Sequence, residues 1–165
     1  MTTRICALYH VDKHVVKMIL ETAQLLCSVH HISGSNFIPP YKLTHKNHPC
    51  AVWSRTSLEN YNWLVDLGNE LCKEYTYRYG KIHKCQSIIE EMACNPPPIP
   101  EIGFTTPSMA MPDEYRSSNV VESYRAYYFF EKSHLFSWKK RDTPDWVLET
   151  NDMFEEQEQE IKNII

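Results

Sequence analysis

Residues 11–31 read VDKHVVKMILETAQLLCSVHH. Val15, Met18, Ile19, Thr22, Leu25, Leu26 and Val29 recur at three- and four-residue spacing, the pattern of an amphipathic helix with one buried face. His14, Lys17, Glu21, Gln24, Ser28 and His31 recur at the same spacing on another face, so a polar stripe runs down the helix. A surface helix with an i,i+4 Lys–Glu pair accounts for part of that stripe. What sets Glu21 apart is its surroundings: no other carboxylate occurs between Asp12 and Glu59. Lys17 lies one turn before it, and His14 two turns before it. A carboxylate held among cations stays ionised and suits the stabilisation of a developing sugar cation.

Outward from this helix the chain reads as all-α, a compact bundle of about four helices with long Pro-rich loops and an acidic C-terminal tail. Residues 1–10 carry no helix signal. Between Ser33 and Pro49 the prolines 39, 40 and 49 forbid a continuous helix, and the loop carries Lys42, His45, Lys46 and His48 as candidate phosphate contacts. Pro49 suits the first position of a second helix capped by Asn47 or His48, running to Tyr79 with a break near Ser54–Ser57 and a stop at Gly80. A third helix is predicted over 81–94, followed by extended NPPPIP at 95–100. Residues 103–118 read as an irregular loop. Asn119 with Glu122 forms a capping box opening a fourth helix over 120–135, rich in aromatic residues. The segment 137–146, SWKKRDTPDW, interleaves bases and tryptophans, so Trp138, Lys139 and Lys140 are nucleic-acid contact candidates beside the plainer reading of core aromatics with solvated lysines.

Of 21 acids and 17 bases, six acids and one base lie from Glu149 onward, which leaves 15 and 16 before it. Residues 1–148 therefore form a near-neutral helical domain and 149–165 an acidic tail. This balance neither demands nor forbids DNA. The six cysteines show no CxxC pair and read as reduced thiols of an intracellular protein. His45, His48 and Cys50 lack further ligands at metal spacing, so no metal is expected. Nor is any cofactor. No apolar run of membrane length and no export signal appear, so the expectation is a non-secreted protein with no membrane partner.

The residues from Thr2 to about 140 resemble the pyrimidine-dimer DNA glycosylase/AP lyase of the phage endonuclease V type, a small all-helical enzyme. The resemblance rests on Asp12-Lys13-His14 followed by Glu21, on Thr2 twelve residues before His14, on Asn47-His48 heading the second helix, and on PSMAM at 107–111. The run DKHVVKMILETAQLL is closer still to uncharacterised proteins of tailed phages and giant viruses. The resemblance implies a DNA repair enzyme acting in the cytoplasm or nucleus of an infected cell. Thr2, exposed by removal of Met1, would supply its α-amine as nucleophile and Glu21 the catalytic carboxylate. Arg4, His14, Lys17, Gln24, Lys42, His45, Lys46 and His48 would contact DNA. The chain departs from the family at Leu20 and Gln24, where the family carries phosphate-gripping arginines, and Arg4 is shifted by one residue. Two other readings remain open: an enzyme acting on a nucleotide or modified base in the same cleft, and a non-catalytic helical module that binds a partner through 137–146 and the acidic tail.

Overall fold

The computed structural model describes residues 1–164, with the side chains of 157, 158 and 160–164 outside that description. The described residues form seven α-helices and no strand, joined by loops and two short 3₁₀ turns. The all-α class stands, with seven helices in place of about four.

Three differences account for the change in number. Residues 1–10 contain α1 (Thr3–Tyr9), because the Thr2 hydroxyl accepts from the Ile5 N–H at 3.3 Å and caps it. A seven-residue helix is marginal alone, and this one is held by burying Ala7 and packing along α4. The predicted helix over 49–79 breaks where expected. It forms α3 (Pro49–Ser54), capped by His48, and α4 (Leu58–Tyr79), capped by the Ser57 hydroxyl on Asn60 N–H and stopped by Gly80 at φ 66°. The acidic segment begins inside α7 (Asp145–Ile164), whose first turn buries Trp146 and Val147. Phe154 stacks on Phe129 at 5.6 Å while remaining 40% exposed. The side chains of Ile161 and Ile164 lie outside the described residues.

The reading of residues 11–31 gives α2 (Asp12–Ser33), ended by Gly34 in the left-handed region. The third helix, α5 (Gln86–Cys94), starts five residues later than predicted: Ile82 finds no core to face, and His83 instead caps Cys85 N–H and packs edge-on against Tyr75. The Asn119–Glu122 box opens α6 (Val120–Lys132), and the last predicted turn becomes 3₁₀.

The core lies between α2, α4 and α5, where Val15, Ile19, Leu26, Tyr61, Leu71, Ile89 and Met92 are fully enclosed. Each such side chain contributes roughly 1.5–3 kcal/mol by leaving water. Helices α2 and α4 run antiparallel. Arg78 pairs with Asp12 at one end, and His30 meets the Tyr61 hydroxyl at 2.9 Å at the other. Midway, Gly68 lets α4 approach: a Cβ there would sit 2.9 Å from Thr22 Cγ2 and 3.0 Å from Ile89 Cδ1.

At the Arg78 end the fold is tied by a buried ionic joint. Arg78 donates to Glu74, to Asp12 and to the Leu8 and His10 carbonyls. Arg141 grips Glu74 bidentately at 3.0 and 2.9 Å. Asp12 also accepts from Ser137 and the Lys139 N–H. One guanidinium thereby joins the end of α1, the start of α2, the end of α4 and, through the two acids, the segment 137–141.

Candidate active site

The polar stripe of α2 forms the floor of the site. Lys17 Nζ stands 3.1 Å from Glu21 Oε1, with the two side chains 63% and 35% exposed. In that much water the pair adds under about 1 kcal/mol of stability, so its value is positional. Glu21 is half-buried, not set on an open face.

A wall comes from α6. The Tyr128 hydroxyl meets His14 Nδ1 at 2.6 Å, and the two rings pack edge to face. Burial lowers the His14 pKa, and nearby Lys17 and Lys132 lower it further, while Glu21 opposes them. The lowered pKa favours the neutral ring at pH 7, and that ring shares its Nδ1 hydrogen bond with the Tyr128 hydroxyl. Burial pushes the Tyr128 hydroxyl well above its ordinary pKa, and the negative charges around it, Glu21 among them, push the same way. The cleft thus holds one ionised carboxylate, one flexible ammonium and a neutral His–Tyr pair.

The second wall is the stretch 41–50, which runs back along α2. The Tyr41 carbonyl meets His31 Nε2 at 2.8 Å. The Ser28 hydroxyl donates to the Thr44 carbonyl and accepts the Thr44 N–H. Cys50 lies near enough to Glu21 for the carboxylate to raise its pKa, behind the larger effect of burial. Three successive contacts thus carry the loop from the end of α2 to the level of Glu21, past the half-buried Gln24. Lys42, His45, Lys46 and His48 are exposed along it. His45 adopts a left-handed φ of 51°, Arg55 holds the Lys46 carbonyl at 2.8 Å, and His48 caps α3. The small-residue stretch 107–111 closes the far side: Ser108 donates to the Pro49 carbonyl and accepts at its own carbonyl from Tyr124.

Thr2 and Arg4 approach from α1. Arg4 shares a cavity of about 190 Å³ with Glu70, Lys73 and Arg141, and the Leu8 and His10 carbonyls sit on Arg78. Hence α1 runs parallel to α4. Gly68 faces Thr22, the residue after Glu21. No hydrogen bond joins Thr2 to Glu21 among the described residues.

Trp138, Lys139 and Lys140 are not brought to this cleft. They sit at the Asp12 end, about 13 Å along α2 from Glu21 at 1.5 Å per residue. Trp138 Nε1 donates to the Tyr9 carbonyl, Lys139 Nζ lies over the Tyr79 ring, and Lys140 Nζ donates to the Tyr77 carbonyl. Asp12, part of the recognised Asp-x-His run, serves the ionic joint. The sequence reading missed Tyr128 and Lys132 and weighed Cys50 only as a metal ligand. For the first two a signal existed: Tyr124, Tyr128 and Lys132 recur every four residues on α6, apart from Glu122, Arg125 and Phe129, which face α7.

The chain matches no protein-family model, no curated protein and no solved structure. The functional reading therefore stands on the cleft itself and on the sequence resemblance.

Proposed function

We propose that this chain is a DNA glycosylase with AP-lyase activity on damaged or modified pyrimidines, working at the Glu21 cleft. The observation that carries this reading is the cleft's composition: a half-buried carboxylate paired with Lys17, facing the His14–Tyr128 pair, beside a carboxylate-free loop bearing Lys42, His45, Lys46 and His48. A carboxylate so held stabilises a cation at the sugar C1′ more than it stabilises the neutral substrate, which is what lowers a barrier. The loop cations suit the flanking phosphates.

In the reaction, the Thr2 α-amine, freed by loss of Met1, attacks C1′. The C1′–N bond to the base breaks, the base leaves with a proton, and the sugar ring opens to a protonated Schiff base. Loss of a proton from C2′ then breaks the C3′–O bond, and the strand is cut as the 3′ phosphate departs. Glu21 stabilises the cationic stages and assists ring opening, and a base must leave the stack to reach it.

The test is nicking of a duplex with one abasic site by the chain lacking Met1. Glu21→Gln should bind with wild-type affinity yet nick at least about a hundredfold more slowly. Equal nicking by both removes Glu21 from the chemistry. A second reading, an enzyme acting on a free nucleotide or modified base in the same cleft, draws on the lack of any direct Thr2–Glu21 contact. It predicts no nicking, with a thermal shift on adding pyrimidine nucleotides that Glu21→Gln abolishes.

A further inference from the structure

Ile38 is 87% exposed, the barest large apolar side chain of the molecule's described residues, and it is not on a loose loop. Phe37 packs on the His30 ring at 5.2 Å and its N–H is held by the Ser35 hydroxyl. Pro39 is buried, and Tyr41 is fixed at both ends, by His31 on its carbonyl and by Cys85 Sγ at 3.3 Å from its hydroxyl. A branched alkyl group is thus presented to water from a backbone clamped on either side. It heads the same strip that continues through Lys42, a 44% exposed Leu43, His45 and Lys46 towards the Glu21 cleft. No carboxylate occurs anywhere in residues 22–58.

A lone exposed isoleucine needs no explanation in general. Here three features coincide: rigid presentation, flanking cations and a path that ends at the proposed catalytic carboxylate. Proteins that bend duplexes use apolar wedges of this kind, which unstack one base step while neighbouring cations hold the phosphates. A protein partner would suit Ile38 and Leu43 but leaves the acid-free row of cations unexplained; nucleic acid uses both. Resting on the proposed DNA reading, we infer that Ile38 is a wedge that enters the duplex beside the lesion, with Lys42 and Lys46 on the flanking phosphates. Ile38 lies beyond the His31 end of α2, and His31 is ten residues, about 15 Å of helix, from Glu21, so the wedged step falls some four base-pair steps from the reacting sugar. Opening the stack there bends the duplex and eases extrusion of the target nucleotide.

The experiment uses a duplex carrying a tetrahydrofuran abasic analogue, which cannot form a Schiff base, with 2-aminopurine placed at each of steps three to five on either side and a dye pair on the ends. Wild type should brighten one 2-aminopurine position and shorten the dye distance. Ile38→Ala, at a site with almost no contacts to lose, should fold normally, bind about tenfold more weakly and abolish both signals. The double variant Lys42→Ala, Lys46→Ala should retain the brightening at saturation and reduce the slope of log affinity against log salt by about two. If Ile38→Ala bends, brightens and binds like wild type, the wedge is overturned while nicking at Glu21 stands untouched. If wild type gives neither signal yet nicks abasic DNA, the wedge alone fails. If wild type binds no duplex at 50 mM salt and does not nick, the DNA reading fails with it.

Discussion

Glu21 and His14 sit two helical turns apart on α2, yet the structure gives them opposite charge preferences. The half-exposed carboxylate keeps a cation at 3.1 Å, while burial and the ammonium groups of Lys17 and Lys132 keep the imidazole neutral. In the tautomer that accepts at Nδ1, the Tyr128 O–H reinforces this, because only the unprotonated nitrogen can take that bond. Tyr128→Phe removes that bond without removing the aromatic packing. The His14 titration midpoint, followed by NMR, should rise in the variant, and stability should fall by about 1 kcal/mol. An unchanged midpoint would mean that burial alone sets the His14 charge. The polar stripe itself was legible from spacing, since 3.6-residue periodicity puts His14, Lys17 and Glu21 on one face. Its aromatic partner was legible only as a face: four-residue spacing groups Tyr128 with Tyr124 and Lys132, but a tyrosine in a crowded aromatic helix looks the same in sequence whether it fills a core or faces an imidazole. Trp138, Lys139 and Lys140 show the converse ambiguity. Their pattern of bases and rings fits nucleic acid equally well, but the partners turned out to be Tyr9, Tyr79 and Tyr77 of the same chain.

Helices α2, α4 and α5 meet at Gly68, and there packing leaves no room. Gly68→Ala gains helix propensity but drives its methyl to within 3.2 Å of three side-chain carbons on Thr22 and Ile89. Both neighbours are enclosed and β-branched, so neither yields by rotating. The expected outcome is a net loss of about 1–3 kcal/mol by denaturant titration; a gain would show that α5 can move aside. The ionic joint should be harsher. Arg78→Met strands the Leu8 and His10 carbonyls and removes the shared partner of Glu74 and Asp12, at a cost of about 3–5 kcal/mol. Arg78→Lys should rescue little of it, because an ammonium cannot span two acids and two carbonyls. Near-wild-type stability of Arg78→Lys would contradict that. Long elements were legible because periodicity and caps agree over many residues: α2, the break at Ser54–Ser57 and the Asn119 box are all in the sequence. The short α1 was not, since seven residues carry under two helical turns of pattern and this helix is held by α4. Arg78 likewise offered no signal among other helical charges.

Across the whole molecule the near-neutral body and the acidic α7 give a chain whose stability tracks histidines as much as ion pairs. Desolvation lowers the His10 pKa to about 4, opposed by the Cys6 carbonyl at 2.7 Å. His14, His30 and His83 are lowered as well, each mainly by burial. Above about pH 6.5 these rings are neutral in folded and unfolded chains alike, and the fold keeps its full stability at these sites. Between 6.5 and about 4 the unfolded chain binds protons that the folded chain refuses. Stability therefore falls with pH, by up to about 1.4 kcal/mol per pH unit for His10 alone. Asp12 and Glu74 resist desolvation through their hydrogen bonds, Asp12 to Ser137, the Lys139 N–H and Arg78, Glu74 to Arg141 and Arg78, so their pKa values are lowered and their contribution is lost only as pH falls further. Urea titrations from pH 7.5 to 4.5 should show the decline, and His10→Gln should flatten it; an equal slope in both would remove His10 as its source. At the same scale lies the proposed chemistry of the N-terminal amine. In general far more of an α-amine than of a lysine ε-amine is unprotonated at neutral pH, which favours an N-terminal nucleophile. The decisive measurement is borohydride trapping on an abasic duplex with the chain lacking Met1, followed by peptide mass mapping. The account predicts one covalent adduct on the Thr2 amine, lost when the N-terminus is acetylated. An adduct on Lys13 or Lys17, or no adduct at all, would contradict it.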